Sequence, residues 1–327
     1  MSATMQAIQV HRPGDSTVLL MQMCSVPICG QEDVLVQVKA VGINYIDIYI
    51  RTGLYPPPHY PYVPGKEGSG IVVEVGGNVR DLEVGDRVAF CSSGSGTYAE
   101  YVAIPADQVV KIPTALSFET AAAGMLQGLT AYYLSHLTFP LNPDHIALIH
   151  AGAGGVGLLL IQMAKLRGAR VITTVSTPEK MQLVQSVGAD HVINYKQDKF
   201  LEAVMKLTDQ QGVSVVYDSV GQTTFLDSLK SLTLRGMLVS FGQSSGPVPP
   251  FELKHLAEKS LYITRPTLGH YAYDKASLRE MADQLFQMIL SNTLKITVGQ
   301  RYAFADVAEA HRDLEQRKTI GKSLLLI

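Results

Sequence analysis

The sequence predicts an α/β chain in which a doubly wound parallel sheet is set inside a β-rich, partly barrel-like domain. Three observations lead there. Short β runs separated by Gly/Pro turns fill residues 5 to about 112, strands alternate with helices from about 145 to 266, and a glycine-rich turn, "HAGAGGVG", joins the first of those strands to its helix. At 327 residues the chain exceeds what one hydrophobic core usually organises, so two domains are expected.

In the first region "DVLVQVKAV" alternates with period two, and "GIVVEVGG", "GDRVAF" and "YAEYVAIPADQVVKIP" are apolar runs between turns, as an antiparallel or barrel-like sheet requires. One short helix is expected around "NYIDIYIRTG", with Asn44 placed to cap it. The stretch "VPGKEGSGIV" sets Lys66 and Glu67 side by side in a turn entering the strand "GIVVEV". Its glycines have the wrong spacing for a phosphate loop, and Glu67 reads as a structural carboxylate. The rhythm becomes helical at "SFETAAAGMLQGLTAYYLSHL", where Ser117 is a candidate cap and Glu119 lies in the first turn.

The next strands are "HIALIHA", "RVITTV", "HVINY", "VSVVYDSVG", "MLVSFG" and "LYITRP", with helical patterns between them. In "STPEKMQLVQSVGA" either Ser176 or Thr177 offers the cap, Pro178 suits the first helical position and Gly188 the stop. Six such strands predict a sheet of Rossmann type. Gly152, Gly154 and Gly157 form G-x-G-x-x-G directly after a strand and at the opening of a helix. Glycines let the backbone approach a pyrophosphate, and the helix N-terminus adds open N–H groups and a positive dipole end, so dinucleotide binding outweighs a purely structural turn. His150, just before the glycines, reads as a partly buried histidine and not as an acid or base.

Selectivity for NAD usually rests on an Asp or Glu at the end of the second strand, which accepts hydrogen bonds from the ribose. Here "TTVSTPEK" places Ser176 and Thr177 there, so a 2′-phosphate meets no repulsion and Lys180 lies within reach of one. Glu179 is ordinary compensation of a helix dipole. NADPH is the expected cofactor. After residue 266 the sequence predicts a helix over 274–292, the β run "KITVGQRYAF", a helix near 305–317 and the apolar end "SLLLI", which together read as material returning to the first domain.

Composition narrows the function. A formal net charge of −2 with scattered lysines and arginines gives no footprint for nucleic acid. No apolar run is long enough for a membrane span, and "MSATMQAIQVHRPGD" lacks the basic head and apolar run of a signal peptide, so a cytoplasmic protein is expected. The three cysteines, Cys24, Cys29 and Cys91, make no Cys-x-x-Cys pair and read as buried small apolar residues. The nine histidines include no His-x-x-x-His pair.

Several stretches together resemble a family: "GINYIDIYIRTGLYPPP", "PGKEGSGIVVEVG", "VGDRVAF", "LQGLTAYYL", "HAGAGGVG", "INY", "VYDSVG", "SFGQSSG", "YITRP" and "GKSLLLI". In this order along nearly the whole chain they resemble the NADPH:quinone oxidoreductases, including the zeta-crystallin-like enzymes, of the medium-chain dehydrogenase/reductase superfamily. The resemblance implies that residues 1–128 and 268–327 form one GroES-like catalytic domain, that residues 129–267 form the inserted nucleotide domain, and that substrate meets cofactor in a cleft between them. It also implies a homodimer joined through the edges of the nucleotide-domain sheets.

Carried over by residue, the resemblance puts Asn44, Tyr45, Asp47 and Tyr49 beside the nicotinamide half of NADPH, and Tyr55 at the substrate mouth. Asn44, Tyr49 and Tyr55 are then the expected catalytic residues, with Tyr49, Tyr55 or an ordered water donating a proton to the developing hydroquinone oxygen. Thr130 and Tyr133 would meet the nicotinamide and its neighbouring phosphate and ribose, and Gly155 and Val156 the pyrophosphate. Ser176, Lys180, Tyr195 and Arg317 would surround the 2′-phosphate, while Val220, Phe241, Gly242, Ser244 and Ser245 line the ribose and nicotinamide side. Plainer readings stand beside these: Asn44 as a cap, Tyr49 and Tyr55 as packing tyrosines, Lys180 and Arg317 as solvated surface charges.

Zinc-dependent members of the superfamily carry Cys where this chain has Asn44, and Gly-His-Glu where it reads Gly65, Lys66, Glu67. A lysine ammonium offers zinc no lone pair, and residues 91–101 supply one of the four cysteines a structural zinc lobe needs, so a metal-free enzyme is expected. Without a Lewis acid, alcohol oxidation loses its support, whereas a small quinone mainly needs positioning against the nicotinamide. The alternatives are an NADPH-dependent 2-alkenal/enoyl reductase and, from another class, a non-catalytic NADPH- or RNA-binding protein.

Overall fold

The computed structural model describes residues 3–91, 94 and 96–327, and the chain divides into two compact units: Met1–Leu129 with Ala272–Ile327, and Thr130–Tyr271. Ser92, Ser93 and Ser95, in the segment read for a cysteine-rich lobe, and Met1 and Ser2 of the opening segment lie outside the described residues.

The first unit starts with a ribbon of β1 (Thr4–Gln9) and β2 (Leu20–Ser25) and continues into the long strand β3 (Asp33–Ile43). Helix α1 (Tyr45–Arg51) follows, then β4 (Glu67–Val75), β5 (Arg87–Cys91), β6 (Tyr101–Pro105), β7 (Val109–Lys111) and helix α2 (Phe118–Tyr133). Alternation in β3 sends Val34, Val36 and Val38 into a core with Ile8, Phe90, Tyr98 and Ile104. Ser117 does cap α2, accepting from the Thr120 N–H at 3.1 Å. The cysteines differ from expectation: all three are unpaired and half-buried, Cys24 and Cys91 lying on strands at or near sheet margins.

The second unit runs β8 (Ile146–Ile149), α3 (Gly155–Leu166), β9 (Arg170–Val175), α4 (Pro178–Ser186), β10 (His191–Asn194), α5 (Phe200–Leu207), β11 (Val213–Asp218), α6 (Phe225–Lys230), β12 (Leu232–Ser240), the short α7 (Lys254–Ala257) and β13 (Tyr262–Thr264). Its strands lie in the order β10-β9-β8-β11-β12-β13, all parallel. That is the doubly wound order with the switch between β8 and β11, the place where such sheets take a ligand. Of the two candidate caps for α4 it is Thr177 that accepts the Lys180 N–H, and Gly188 takes a φ of 105° beyond the helix end.

The chain then returns to the first unit. Helix α8 (Lys275–Leu290), β14 (Val298–Ala303), α9 (Val307–Glu315) and β15 (Lys322–Leu326) complete it. Strand β15 pairs antiparallel with β3, Ser323 opposite Ile43 and Leu326 opposite Ala40, while β6 takes the other half of the same β3 edge. The sheet β14-β15-β3-β4-β5-β7 is open, with β14 and β7 as its ends. The partly barrel-like expectation is thereby refined to an open sheet and not a closed barrel: alternation fixes which face of a strand is buried, but closure depends on the pairing of the last strands, which period-two patterning does not encode. Among the described residues no helix is long and apolar enough to cross a membrane.

Candidate functional site

The phosphate turn has the sterics its glycines suggest. Ala151 adopts a left-handed φ of 53° as β8 ends, and Gly154 is the N-cap of α3, with no side chain capping it. A Cβ on Gly157 would lie 2.5 Å from the Ala151 carbonyl oxygen and 2.7 Å from the Gly152 Cα, and one on Gly152 would run into the Thr173 hydroxyl. The backbone is packed tightly enough to exclude side chains, and the first turn of α3, with Gly155 and Val156, keeps its N–H groups for a ligand. A pyrophosphate fits such a turn.

Along the same sheet edge, Asp218 at the end of β11 orders the loop that carries Val220. Its carboxylate accepts from the Val220 and Gly221 N–H groups at 2.7 and 3.0 Å and from the Thr224 and Ser228 hydroxyls. The segment after β12 zips onto this loop: Phe241 and Gly242 donate to the Asp218 carbonyl, Ser244 to Ser219, and Ser245 to Val220 through both N–H and Oγ. Val220, Phe241, Gly242, Ser244 and Ser245 are thereby brought together. Tyr133 stacks on Tyr271 at 4.4 Å and is buried, with Thr130 one turn before it. At the β9 end Ser176 is buried, Lys180 half-buried and Tyr195 exposed just past β10. His150 is fully engaged: Nδ1 lies 3.0 Å from the Thr174 hydroxyl and Nε2 3.0 Å from the Ser228 hydroxyl, and burial lowers its pKa. It is a satisfied core histidine.

In the first unit, two tyrosines of α1 and Tyr55, just past its end, form a ladder. Tyr45 and Tyr49 rings lie 5.2 Å apart, and Tyr49 and Tyr55 meet edge to face at 5.4 Å. The Asn44 side chain faces the other way, into a buried cluster. Its Oδ1 accepts from Lys322 Nζ at 2.9 Å and from Gln127 Nε2 at 3.1 Å, and its Nδ2 donates to Glu67 Oε1 at 2.5 Å and to the Gly42 carbonyl at 3.3 Å. These partners dictate the orientation of the amide and use both lone pairs and both hydrogens. Lys322 Nζ also donates to Glu67 Oε1 and to the Ile43 carbonyl, and Glu67 Oε2 accepts from the Leu126 N–H at 2.6 Å. Asn44 is the N-cap of α1, as expected, in a capping box whose Asp47 carboxylate accepts from the Asn44 N–H at 2.8 Å.

A second buried string starts from Asp47. Tyr98 OH donates to its carboxylate at 3.0 Å and lies 3.1 Å from His311 Nε2; His311 Nδ1 is 3.2 Å from Arg51, which also donates to Glu315 at 2.6 Å. Burial drives the two ends of this string apart. It pushes the Asp47 carboxyl up to about 6, opposed by its hydrogen bonds from Asn44 and Tyr98 and by Lys322, and it pushes His311 down to about 3, helped by Arg51. A raised acid contributes stability that is lost as pH climbs through 6, whereas a lowered histidine contributes stability that is lost as pH falls from 6.5 toward 3. The two slopes, about 1.4 kcal/mol per pH unit each, offset one another. Urea titrations between pH 6.5 and 4.5 should therefore show His311→Gln gaining stability with acid relative to the parent, and Asp47→Asn losing it.

A family model for zinc-binding dehydrogenases matches residues 155–287, and one for the alcohol dehydrogenase GroES-like domain matches residues 30–114. A quinone oxidoreductase of Salmonella typhimurium is 44% identical over 322 residues, 98% of each chain. The chain belongs to the quinone oxidoreductases of the medium-chain dehydrogenase/reductase superfamily. Within that family, the crystal structure of Escherichia coli quinone oxidoreductase complexed with NADPH superposes with a TM-score of 0.96 at 43% identity, covering 99% of this chain and all of that one. A 2-haloacrylate reductase of a Burkholderia species is 36% identical over 98% of each chain.

Sequence reasoning missed Lys322, Gln127, Tyr98, His311 and Arg51. The first two complete the Asn44 cluster and the others hold α1. Only Lys322 left a trace, as a lone charge opening the apolar end "SLLLI".

Proposed function

We propose that the protein is an NADPH-dependent, zinc-independent reductase of small quinones, working in the cytoplasm as a homodimer. The observation that carries this reading is the Asn44 cluster. At the positions where a metal-dependent relative needs thiolate, imidazole and carboxylate, this chain has an amide with every valence spent, an ammonium, and a carboxylate already bound by Lys322. Such donors favour an acceptor that needs no Lewis acid, and a quinone is one.

NADPH, when bound, supplies the reducing equivalents. Gly155 and Val156 offer backbone N–H groups to its pyrophosphate, with Gly152, Gly154 and Gly157 keeping the turn free of side chains. Ser176, Lys180 and Tyr195 take the adenosine end, Arg317 adds a guanidinium for the 2′-phosphate, and Thr130, Tyr133, Val220, Phe241, Gly242, Ser244 and Ser245 take the ribose and nicotinamide. Tyr45 and Asp47 hold the nicotinamide side of α1; the Asn44 amide acts by fixing the start of that helix, and Tyr49 and Tyr55 are the groups able to orient a ring or pass it a proton. Three unpaired cysteines suit a reducing compartment. The dimer is supported by β13, a short edge strand with Tyr262 56% exposed, which offers unpaired backbone groups to a second copy.

Stopped-flow oxidation of NADPH with a panel of small quinones should show turnover, and no turnover with any of them rejects the reading. Light scattering should return twice the chain mass. A second reading, an NADPH-dependent reductase of activated alkenes, is favoured by the similarity to the 2-haloacrylate reductase. It needs a proton donor at carbon, so Tyr55→Phe should cripple enone reduction while transfer to quinones survives.

A further inference from the structure

Strands β8 and β11 flank the switch point of the parallel sheet, and the loops that follow them diverge there. Backbone pairing reaches the His150 N–H, which donates to the Tyr217 carbonyl at 3.1 Å; beyond it one strand opens into the phosphate turn and the other into the Val220 loop. Both loops belong to the second unit. Side chains carry the connection further. Four buried groups, none more than 2% exposed, stand in a row across the strand ends: Thr174 of β9, His150 just after β8, Ser228 of α6 and Asp218 of β11.

The hydrogens in this row follow from its chemistry. The Val220 and Gly221 N–H groups make Asp218 an acceptor. Ser228 Oγ gives its one hydrogen to Asp218 Oδ2 at 3.0 Å, so toward His150 Nε2, also at 3.0 Å, it can only accept. Burial lowers the His150 pKa against the pull of the Asp218 charge, which leaves the ring neutral with Nδ1 as an acceptor. The Thr174 hydroxyl donates to that nitrogen at 3.0 Å and accepts from the Ala151 N–H at 3.4 Å, while the Thr174 carbonyl accepts from the Gly152 N–H at 3.1 Å. Phe200 stands edge-on to the imidazole at 4.7 Å and holds its plane. The row therefore runs in one direction, from the left-handed Ala151 at the head of the phosphate turn to the carboxylate that orders Val220.

We propose that His150 is a positioning residue for NADPH: as an Nε2–H imidazole it locks the phosphate turn after β8 to the Val220 loop after β11, so that one dinucleotide meets both at once. Two half-sites at a fixed separation act together because the second contact is made at a high effective concentration. Loosening their spacing weakens a ligand that spans them and spares one that fills a single half. The proposal rests on the reading of these two loops as the NADPH site, and the test separates the two.

Dissociation constants for NADPH and for 2′-phosphoadenosine 5′-diphosphate, which has the pyrophosphate end without the nicotinamide half, are measured by calorimetry on the full chain, with urea midpoints as the check on folding. His150→Phe keeps a ring beside Phe200 and removes both ring nitrogens; it should weaken NADPH about tenfold and the diphosphate by less than about twofold. Ser228→Ala, a smaller change, should weaken NADPH about fivefold and add nothing in the His150→Phe background. Nitrogen-15 spectra of the histidine-labelled parent should show the ring whose signals Ser228→Ala shifts as the Nε2–H tautomer, which packing alone does not set. If both ligands weaken alike, if neither does, if the two substitutions add, or if the ring is the Nδ1–H tautomer, the positioning role is refuted. Gly157→Ala tests the site itself: if it leaves both ligands bound as in the parent, the phosphate turn is not the NADPH site and the proposal falls with that reading.

Discussion

Replacing Lys322 by methionine is expected to destabilise the first unit by about 3–5 kcal/mol, among the largest effects available to a single substitution in this chain. Lys322 and Glu67 are both essentially fully buried, and neither reaches water when its partner goes. The ammonium donates to the Ile43 carbonyl, to Asn44 Oδ1 and to Glu67, so all three of its protons are used. Burial lowers the Lys322 pKa, and the Glu67 charge is the main force opposing that loss. Methionine matches much of the volume but takes the cation from the buried Glu67 carboxyl group and leaves an Asn44 lone pair open. The double variant Lys322→Met, Glu67→Gln removes both charges and should recover most of the loss. Urea denaturation of the three proteins at pH 7 checks this. A single variant as stable as the parent, or a double variant no better than the single, contradicts the role given to the pair.

The second large effect is at the phosphate turn. Gly157→Ala is expected to weaken NADPH binding by about 100-fold, the scale on which a displacement near 1 Å acts at a site built on geometry. The new Cβ meets only backbone, the Ala151 carbonyl oxygen and the Gly152 Cα, so no rotamer can relieve it and the turn itself must move. Gly154 is the internal control. A Cβ there approaches the Ala151 carbonyl oxygen at 3.2 Å, and its φ of −78° suits any residue, so Gly154→Ala should cost less than about tenfold. Fluorescence titration with NADPH measures both, with urea midpoints to confirm folding. Equal losses would mean that the turn does not recognise phosphate by close backbone approach.

Legibility differed between the two units for a physical reason. In the second, each strand and helix follows from local pattern: Gly154 and Gly157 of the β8–α3 turn are needed for contacts with residues within six positions of them, and the Thr177 cap, Pro178 and Gly188 bound α4 by rules that act within a helix turn. The carboxylate missing after β9 is likewise readable from one position. In the first unit Asn44 is the N-cap of α1 as predicted, in a box with Asp47, but its amide also meets groups from far along the chain that local pattern does not carry: Glu67, Gln127 and Lys322.

By itself the sequence determined the α/β architecture, the dinucleotide turn, the absence of an acid where NAD would want one, and the loss of sulfur and imidazole at Asn44 and Lys66. All of these are properties of residue type at a position or of spacing over a few residues. The tertiary structure alone decided what took their place. Strand β15 pairs with β3 and carries Lys322 between Asn44 and Glu67; α9 sets His311 and Glu315 against Tyr98 and Arg51. Those contacts span from more than two hundred positions in the chain, and the buried charges in them are affordable only because partners from distant segments meet, something periodicity and composition do not carry.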